Sequence, residues 1–393
     1  MKHYTLDELY YLLTYSYLDA RKFERNKETQ LRFEVQQEKN IEQLAVELYN
    51  RTYRPQPPIC FLIKYPTYRE VFAPLFRDRV VSHLLFNLIS PIFEKTFIYD
   101  SYSCREGKGT DFGVHRMEKF LRSCSDNYKQ LDKTYSLYID ISGYFMSIHR
   151  PTLRNIILNT LEKYRIKERS PGESPWGESI DYDLCKFLID CLLLRDPKKG
   201  CLVIDKDSSD WDKLPKNKSL FYAPPETGLP IGDITSQLFS NIYLNKLDHF
   251  IKRELGCTYY GRYVDDARIL SRDYDMLVKI IPKINLFLRE ELKLSLHPKK
   301  TVIHKCSYGL EFLGKVIRPY RCYVKTKVLR SFTKVVYDLV RSKRISETDL
   351  SRLNSYLGCF RSTKEYNNIQ KIISKSGLGE KVRISEKLLA IRT

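Results

Sequence analysis

The chain of 393 residues is 42% hydrophobic and 29% charged, which is typical of a globular protein with a large core and argues against a disordered or fibrous one. No run of about 18 apolar residues occurs, and the first residues lack a signal-peptide pattern. We therefore expect a cytoplasmic protein with no membrane partner. The ten cysteines show no CxxC spacing, which indicates free thiols rather than a disulfide framework or a zinc site.

The net charge of +19 favours a polyanionic partner, and we expect a nucleic acid. Charge alone leaves open a ribosome-associated protein or a merely basic surface. The 29 tyrosines include side chains that could stack on bases, although most tyrosines in proteins are half-buried core residues.

The N-terminal third is predicted to be mostly helical, with one pair of strands. Residues 5–50 predict two helices, the first opened by a capping box of Thr5 and Glu8. A Pro-rich turn follows at residues 51–58. Two strands, a helix, and a basic glycine-containing loop leading into another helix are then predicted from "CFLIKYPTYREVFAPLF", "RDRVVSHLLFNLISPIFEKTF" and "SCREGKGTDFGVHRMEKFLRSC".

The rest of the chain alternates strands and helices around one weakly patterned stretch. We predict a strand at residues 135–141, a helix at about 151–164, and an insertion at about 166–222 with one apolar helix near 184–194. A helix at about 233–255 and a hairpin "TYYGRYVDDARILS" follow. A further helix and several strands lead to a helical, basic region from about residue 325.

Three aspartates are candidate metal ligands. Asp265 and Asp266 are adjacent at the predicted hairpin turn, and Asp140 ends the strand "SLYIDI". Adjacent like charges are costly to bury, and a divalent cation would offset their repulsion. Hard oxygen ligands suit Mg²⁺, and carboxylates from two strands could hold two ions for nucleotidyl transfer. An isolated Asp pair is a weak signal, since turns are rich in Asp.

Several ordered blocks together carry a more specific signal. "YVDD" resembles the YxDD box of reverse transcriptases, and "YIDISGYFMSI" resembles their block in which an aromatic follows an Asp by five residues. "GLPIGDITSQLFSNIYLNKLD" resembles the form found in reverse transcriptases of diversity-generating retroelements. "YPTYREVFAPLFRDRVV", "LSLHPKKT" and "GLEFLGKVI" resemble an upstream fingers block and two downstream blocks, so that the resemblance covers about residues 57–320.

The resemblance assigns catalysis to the aspartates. Asp140, Asp265 and Asp266 would bind two Mg²⁺ ions, for which Mn²⁺ is a possible substitute, and the carbonyl of Ile141 would assist. Phe145, five residues after Asp140, would be the steric gate that excludes a ribonucleotide 2′-hydroxyl. An ordinary core aromatic is the alternative for this position.

Further residues are assigned to the incoming nucleotide. Arg69 would reach the triphosphate, because its planar fork binds phosphate oxygens bidentately. Lys300 would lie near the departing pyrophosphate, and Lys299 is a rival for that role. A solvated pair of lysines is the alternative for both.

A third group belongs to the block around "PIG". Gly232 would line the nucleotide and template site, where a missing side chain permits close approach. Ser236 and Gln237 form the "SQ" that makes the block resemble the diversity-generating group. Many reverse transcriptases have a glutamine where this chain has Ile231, which cannot make a polar positioning contact. The resemblance therefore implies error-prone copying, especially opposite template adenine.

Basic residues and one tyrosine are candidate contacts to the phosphate backbone of nucleic acid, although any one basic residue is more often simply solvated. In the fingers and hairpin these are Arg77, Arg79, Arg105, Lys108 and Tyr263. In the C-terminal region they are Lys325, Lys327, Arg330, Lys334, Arg341, Lys343 and Arg344.

The resemblance implies an α+β right-hand polymerase with fingers, a palm containing an antiparallel sheet, and a helical thumb. The predicted segments are an N-terminal helical part at 1–56, fingers at 57–130, palm at 131–315 and thumb at 316–393. The implied partners are a template RNA, an RNA/DNA duplex, deoxynucleoside triphosphates and a small basic accessory protein, often a pentameric helical bundle. A defence-type reverse transcriptase, of the retron or abortive-infection kind, and a non-catalytic RNA-binding scaffold remain the alternatives.

Overall fold

A computed structural model describes residues 2–22, 26–64, 67–166, 180–206, 208–342, 344–385 and 390–392. The whole SPGESPWGES stretch of the predicted insertion, the Tyr65–Pro66 pair and Lys343 lie outside these residues. In the part of the chain that is described, no helix combines the length and apolar character needed to cross a membrane.

The secondary structure mixes helices with antiparallel strands, which confirms the α+β class. The helices are α1 (Leu6–Arg21), α2 (Glu28–Glu34), α3 (Gln37–Tyr49), α4 (Phe76–Glu94), α5 (Thr110–Cys124), α6 (Tyr144–Ser147), α7 (Arg150–Ile166), α8 (Tyr182–Leu193), α9 (Ile234–His249), α10 (Tyr274–Leu292), α11 (Thr326–Arg341), α12 (Glu347–Phe360) and α13 (Tyr366–Ser376). The strands are β1 (Ile59–Ile63), β2 (Arg69–Ala73), β3 (Tyr135–Ile139), β4 (Leu202–Val203), β5 (Tyr259–Tyr263), β6 (Asp266–Ser271), β7 (Val302–Lys305), β8 (Leu310–Phe312), β9 (Lys315–Arg318), β10 (Arg321–Val324), β11 (Val382–Ile384) and β12 (Ala390–Arg392).

The chain divides into two compact units, each assembled from separate stretches. The first unit contains Met1–Tyr99, Ile141–Glu254 and Pro282–His297. The second contains Asp100–Asp140, Leu255–Ile281 and Pro298–Thr393. This division does not test the fingers, palm and thumb expected from the sequence, and the boundaries of those segments stay predictions.

The first unit contains a group of packed helices and a small sheet. The predicted capping box is confirmed, since the Thr5 hydroxyl accepts from the Glu8 amide and the Glu8 carboxylate accepts from the Thr5 amide. Helix α1 packs against α3 and α4, and α4 also packs against α8 and α9. Strand β1 lies between β2, antiparallel, and β4, parallel.

The second unit contains the main sheet. Its four strands are antiparallel in the order β5-β6-β3-β7, and α5 packs against β5 and β6. A separate three-stranded sheet has the order β10-β9-β8. Helices α11, α12 and α13 share a core that includes Phe332, Leu357, Phe360 and Ile369.

Three sequence expectations differ from the structure. The second N-terminal helix is split into α2 and α3, because Gln36 leaves the helical region at φ −132° and the Asn40 amide caps the Phe33 carbonyl at 2.9 Å. Helix α9 ends at His249 and continues as a π-helical turn, Phe250–Glu254. The region expected to be helical from about residue 325 ends in the β11–β12 pair, because Gly377 at φ +78° terminates α13.

Candidate active site

The "YVDD" stretch forms the tip of a tight hairpin in the second unit. Tyr263 pairs with Asp266, so that Val264 and Asp265 alone make the turn between β5 and β6. Val264 has φ +56°, a left-handed conformation that is rare for a β-branched residue. Such a conformation costs about 1–3 kcal/mol and persists where the surroundings enforce it.

A buried arginine supports this strained turn. Arg262 is 1% exposed, and its guanidinium donates to the Val264 carbonyl at 2.7 Å and to the Ser101 hydroxyl at 3.3 Å. The Arg262 backbone also exchanges hydrogen bonds with Asp100 and Tyr102, each at 2.9 Å. The main chain and the side chain of Arg262 therefore both hold the turn in place.

The strand register places the third aspartate beside this turn. In the β3–β6 pair, Ile139 lies opposite Ala267. Continuing the antiparallel register by one residue sets Asp140 level with Asp266. The carboxylates predicted from distant parts of the sequence thus meet at one end of one sheet.

The charges of the three aspartates affect one another. Burial is the main cause that raises the pKa of Asp265 to about 6, and the charges of Asp140 and Asp266 add to it. A backbone hydrogen bond and the charge of Lys300 oppose this shift. Burial likewise raises the pKa of Asp266, and Arg268 opposes that shift. Two of the three acids are therefore harder to ionise than an ordinary aspartate, which is the behaviour of a site that lacks neutralising charge.

Two cations of the chain partly neutralise the cluster. Lys300 Nζ lies 3.0 Å from Asp140 Oδ2, and Arg268 Nη1 lies 2.6 Å from Asp266 Oδ1. Both Lys300 and its rival Lys299 are exposed, and the contact to Asp140 is made by Lys300. The phosphate-binding role expected of Lys300 stays a prediction.

The donor set fits a divalent cation, since it consists of partly buried carboxylates with an excess of negative charge. The three carboxylates do not all lie within 4.8 Å of one another. Among the described residues that spacing is met by His3, Asp181 and Asp183. Asp181 already caps α8 through the Leu184 amide at 2.8 Å and accepts from a nearby arginine, so this second group is explained as a helix cap.

Three residues assigned to the nucleotide come together in the first unit. Half-buried Phe145 and Ile231 both pack against a cluster containing Phe72. The Phe72 amide donates to the Ile231 carbonyl at 2.8 Å. Gly232 has φ +124°, and a Cβ atom there would lie 2.8 Å from Val71 Cγ1. The glycine thus permits close approach of its own backbone to β2, which the sequence could not specify.

The remaining nucleotide residues are placed as follows. Arg69 begins β2 and is exposed, and Gln237 is exposed on α9 beside the buried Ser236. Ile141 is 3% exposed and forms an isolated bridge with Leu296 in the first unit. Their contacts to nucleotide or metal stay predictions.

The basic candidates for nucleic-acid contact are not all free surface charges. Arg77 forms ion pairs with Glu47 and Asp78 within the first unit. Its nucleic-acid role therefore stays a prediction that competes with a bracing role.

The other candidates have their own local contacts. Arg79 Nε donates to the Pro74 carbonyl at 3.2 Å, and Arg105 donates to the Ser101 carbonyl at 2.9 Å. Lys108 Nζ lies 5.7 Å from the centre of the Phe112 ring. Half-buried Tyr263 packs against a hydrophobic cluster that includes buried residues of α5. In the C-terminal region Lys325 pairs with Glu311 at 2.6 Å. None of these contacts tests binding to nucleic acid.

A family model and several known proteins are similar to this chain. The model of the family described as reverse transcriptase (RNA-dependent DNA polymerase) matches residues 64–317. Protein YkfC of Escherichia coli K12 is 23% identical over 321 residues, covering 73% of each chain.

Solved structures of telomerase are also similar. That of Candida albicans, in complex with a fragment of telomeric RNA, is 12% identical, with TM-score 0.45 over 82% of this chain. The apo telomerase of Candida tropicalis is 13% identical, with TM-score 0.47 over the same share. The chain spans 56% and 59% of the length of these two telomerase chains.

Proposed function

The chain belongs to the reverse transcriptase family, whose members are RNA-directed DNA polymerases of right-hand fold, and we propose that it copies a template RNA into cDNA within a diversity-generating retroelement. The observation that carries the polymerase site is the meeting of Asp140, Asp265 and Asp266 at one end of an antiparallel sheet. Those three residues lie inside the matched range 64–317.

Asp140, Asp265 and Asp266 are proposed as the ligands of two divalent ions. Reverse transcriptases depend on divalent metal ions, and we propose Mg²⁺, with Mn²⁺ as a substitute. When bound, the ions supply charge that offsets the negative charge of the reacting phosphate. The raised pKa of Asp265, caused by burial and by its acidic neighbours, is consistent with a site that is completed by positive charge.

The residues of the chain then hold the substrates. The strained Val264 turn, fixed by Arg262, presents Asp265 at the tip of the hairpin. Lys300 pairs with Asp140 in this structure, and 54% of its side chain is exposed, so that its ammonium group could leave Asp140 and pair with a phosphate oxygen instead. Arg69 would bind the triphosphate with its bidentate fork.

Selection of the nucleotide is assigned to the first unit. Phe145, held by packing against the Phe72 cluster, would exclude a 2′-hydroxyl with its ring. Ile231 offers an apolar side chain where a glutamine amide could hydrogen-bond. A site without that polar contact discriminates less between bases, because unpaired polar groups are what penalise a wrong partner.

The first experiment is primer extension on an RNA template with deoxynucleoside triphosphates and Mg²⁺. Wild type should extend the primer, and Asp265→Ala should lower kcat by about 10²–10³-fold, because a ligand of the ions whose charge would stabilise the transition state is lost. Asp132→Asn, an exposed change in the same unit, is the matched control. An inactive wild type, or an active Asp265→Ala, would refute the polymerase site.

The diversity-generating role needs its own test. The change Ile231→Gln restores an amide and should reduce misincorporation opposite template adenine, while errors opposite other bases change less. Sequencing of the cDNA measures both rates in the same reaction. An unchanged adenine-directed error rate would remove Ile231 from the explanation. A template repeat beside the gene, paired with a copy altered at adenines, is the expected genomic context.

A further inference from the structure

Two side chains on neighbouring strands contact the carboxylates of Asp140 and Asp266. Tyr138 and Arg268 are cross-strand partners in the β3–β6 pair. Alternate residues of a strand face the same side, so Tyr138 shares a face with Asp140, and Arg268 shares a face with Asp266. The Tyr138 hydroxyl donates to Asp140 Oδ1 at 3.1 Å, and Arg268 Nη1 donates to Asp266 Oδ1 at 2.6 Å.

The two side chains also hold each other. The guanidinium carbon of Arg268 lies 3.8 Å from the centre of the Tyr138 ring, a close cation–π contact. Arg268 Nε donates to the Glu311 carbonyl at 2.9 Å, and Nη1 donates to the Ala267 carbonyl at 3.0 Å. With 6% of its surface exposed, Arg268 has little freedom to adopt another orientation.

We propose that Tyr138 and Arg268 are positioning residues that hold Asp140 and Asp266 in the orientation required for divalent-metal binding. The inference rests on the proposed polymerase site. Each hydrogen bond engages Oδ1, and a carboxylate fixed through one oxygen can offer the other to a cation. For Asp140 that other oxygen, Oδ2, is bound by Lys300 and becomes available when the lysine leaves it. The stacked pair links the two carboxylates, so that one rigid unit orients ligands from two strands.

Two rival roles make different predictions. If Arg268 only neutralised charge, removing it would strengthen metal binding, because a positive group repels a cation. If Arg268 only tied β6 to the Glu311 carbonyl, its loss would lower stability and leave the metal affinity of the folded protein unchanged. A positioning role predicts weaker metal binding despite the more negative site.

The experiment compares three variants of the full chain with a matched control. Tyr138→Phe keeps the ring and its stacking and removes the hydroxyl donor. Arg268→Met keeps length and removes charge, and Arg268→Lys keeps charge and removes the planar fork. Arg321→Met, at the exposed first residue of β10, is the control. The measurements are Mn²⁺ affinity by electron paramagnetic resonance without nucleic acid, kcat and KM for a deoxynucleotide, and melting temperature.

We expect Tyr138→Phe and Arg268→Met to weaken Mn²⁺ binding and to lower kcat, each by about 10-fold or more, as other outer partners of metal ligands do. KM for the nucleotide should stay within about threefold, since neither residue binds substrate. Arg268→Lys should stay closer to Arg268→Met than to wild type. The control should match wild type in all three measurements.

Wild-type Mn²⁺ affinity in both Tyr138→Phe and Arg268→Met would overturn the inference. So would tighter Mn²⁺ binding by Arg268→Met, or full recovery in Arg268→Lys. If Arg268→Met fails to fold, Tyr138→Phe decides, because it removes one oxygen atom and keeps the packing. An inactive wild type would refute the proposed function, whereas an active wild type with unaffected variants would refute the positioning role alone.

Discussion

Replacing Asp265 by Asn is expected to stabilise the metal-free protein while abolishing its activity. Burial and two neighbouring carboxylates raise the pKa of Asp265 to about 6, from 3.8 in an unfolded chain. The folded chain therefore binds this proton more tightly than the unfolded chain does. As pH rises from about 4 to 6, ionisation costs the fold free energy, and above that window the cost is complete.

The size of the effect follows from the shift. A difference of about 2.2 pKa units corresponds to about 3 kcal/mol at pH 7 and above, and to about 1.6 kcal/mol at pH 5. Asp265 is only partly buried, so solvent screening reduces these values, and we expect a gain of about 1–3 kcal/mol. For a unit of this size each kcal/mol shifts the melting temperature by about 2–4 °C.

Thermal unfolding in EDTA, from pH 5 to pH 8, measures the prediction. Asp265→Asn should melt above wild type, and the difference should grow with pH and level off above about pH 7. Adding Mg²⁺ should raise the melting temperature of wild type more than that of the variant, because only wild type keeps the complete set of metal ligands. Asp132→Asn should show no such trend. A variant that melts at or below wild type at pH 7.5, with no pH trend, would refute the reasoning.

Two further changes test a buried ion pair and the close approach of a glycine to strand β2. Asp111→Ala should cost about 2–3 kcal/mol in urea unfolding, because Lys315, 5% exposed, loses its ionic partner at 2.6 Å, whereas Lys315→Met should stay within about 1 kcal/mol of wild type. The opposite ranking would contradict this account. Gly232→Ala should cost about 2–4 kcal/mol and raise KM for nucleotide, because its Cβ would lie 2.8 Å from Val71 Cγ1 and 2.9 Å from the Phe72 carbonyl oxygen. A melting temperature and KM equal to those of wild type in Gly232→Ala would contradict the prediction, because β2 would then have moved to accept the Cβ atom at no cost.

Local sequence signals predicted most helices and strands, because the formation of these elements depends on residues that are neighbours in the chain. The capping box at Thr5, the amphipathic helices and the YVDD hairpin are examples. The split between α2 and α3 was missed because hydrophobic spacing continues through Val35, which is 82% exposed in the structure. The β11–β12 pair was missed because it lies in a predominantly basic, helical context. Periodicity carries no information about which of two possible partners a short apolar segment will choose.

The site shows the same division between local and non-local information. The sequence predicted the three aspartates through the blocks in which they occur. It did not identify Arg262, Tyr138 or Arg268, although a signal was present for the last two. Each stands two residues from a candidate ligand on a predicted strand, and so shares its face. The cross-strand stacking of Tyr138 on Arg268 needed the register, which the sequence did not fix.

The two basic side chains that pair with the aspartates, Lys300 and Arg268, differ in how easily they can leave them. Lys300 reaches Asp140 by one contact, with 54% of its side chain exposed. Such a pair contributes about 0–1 kcal/mol, so Lys300 can give up Asp140 at little cost. Arg268 is 7% exposed by side chain and makes further bonds to backbone carbonyls, so that removing it from Asp266 would strand a buried charge. We therefore expect Lys300 to leave Asp140 during turnover, while Arg268 stays bound to Asp266.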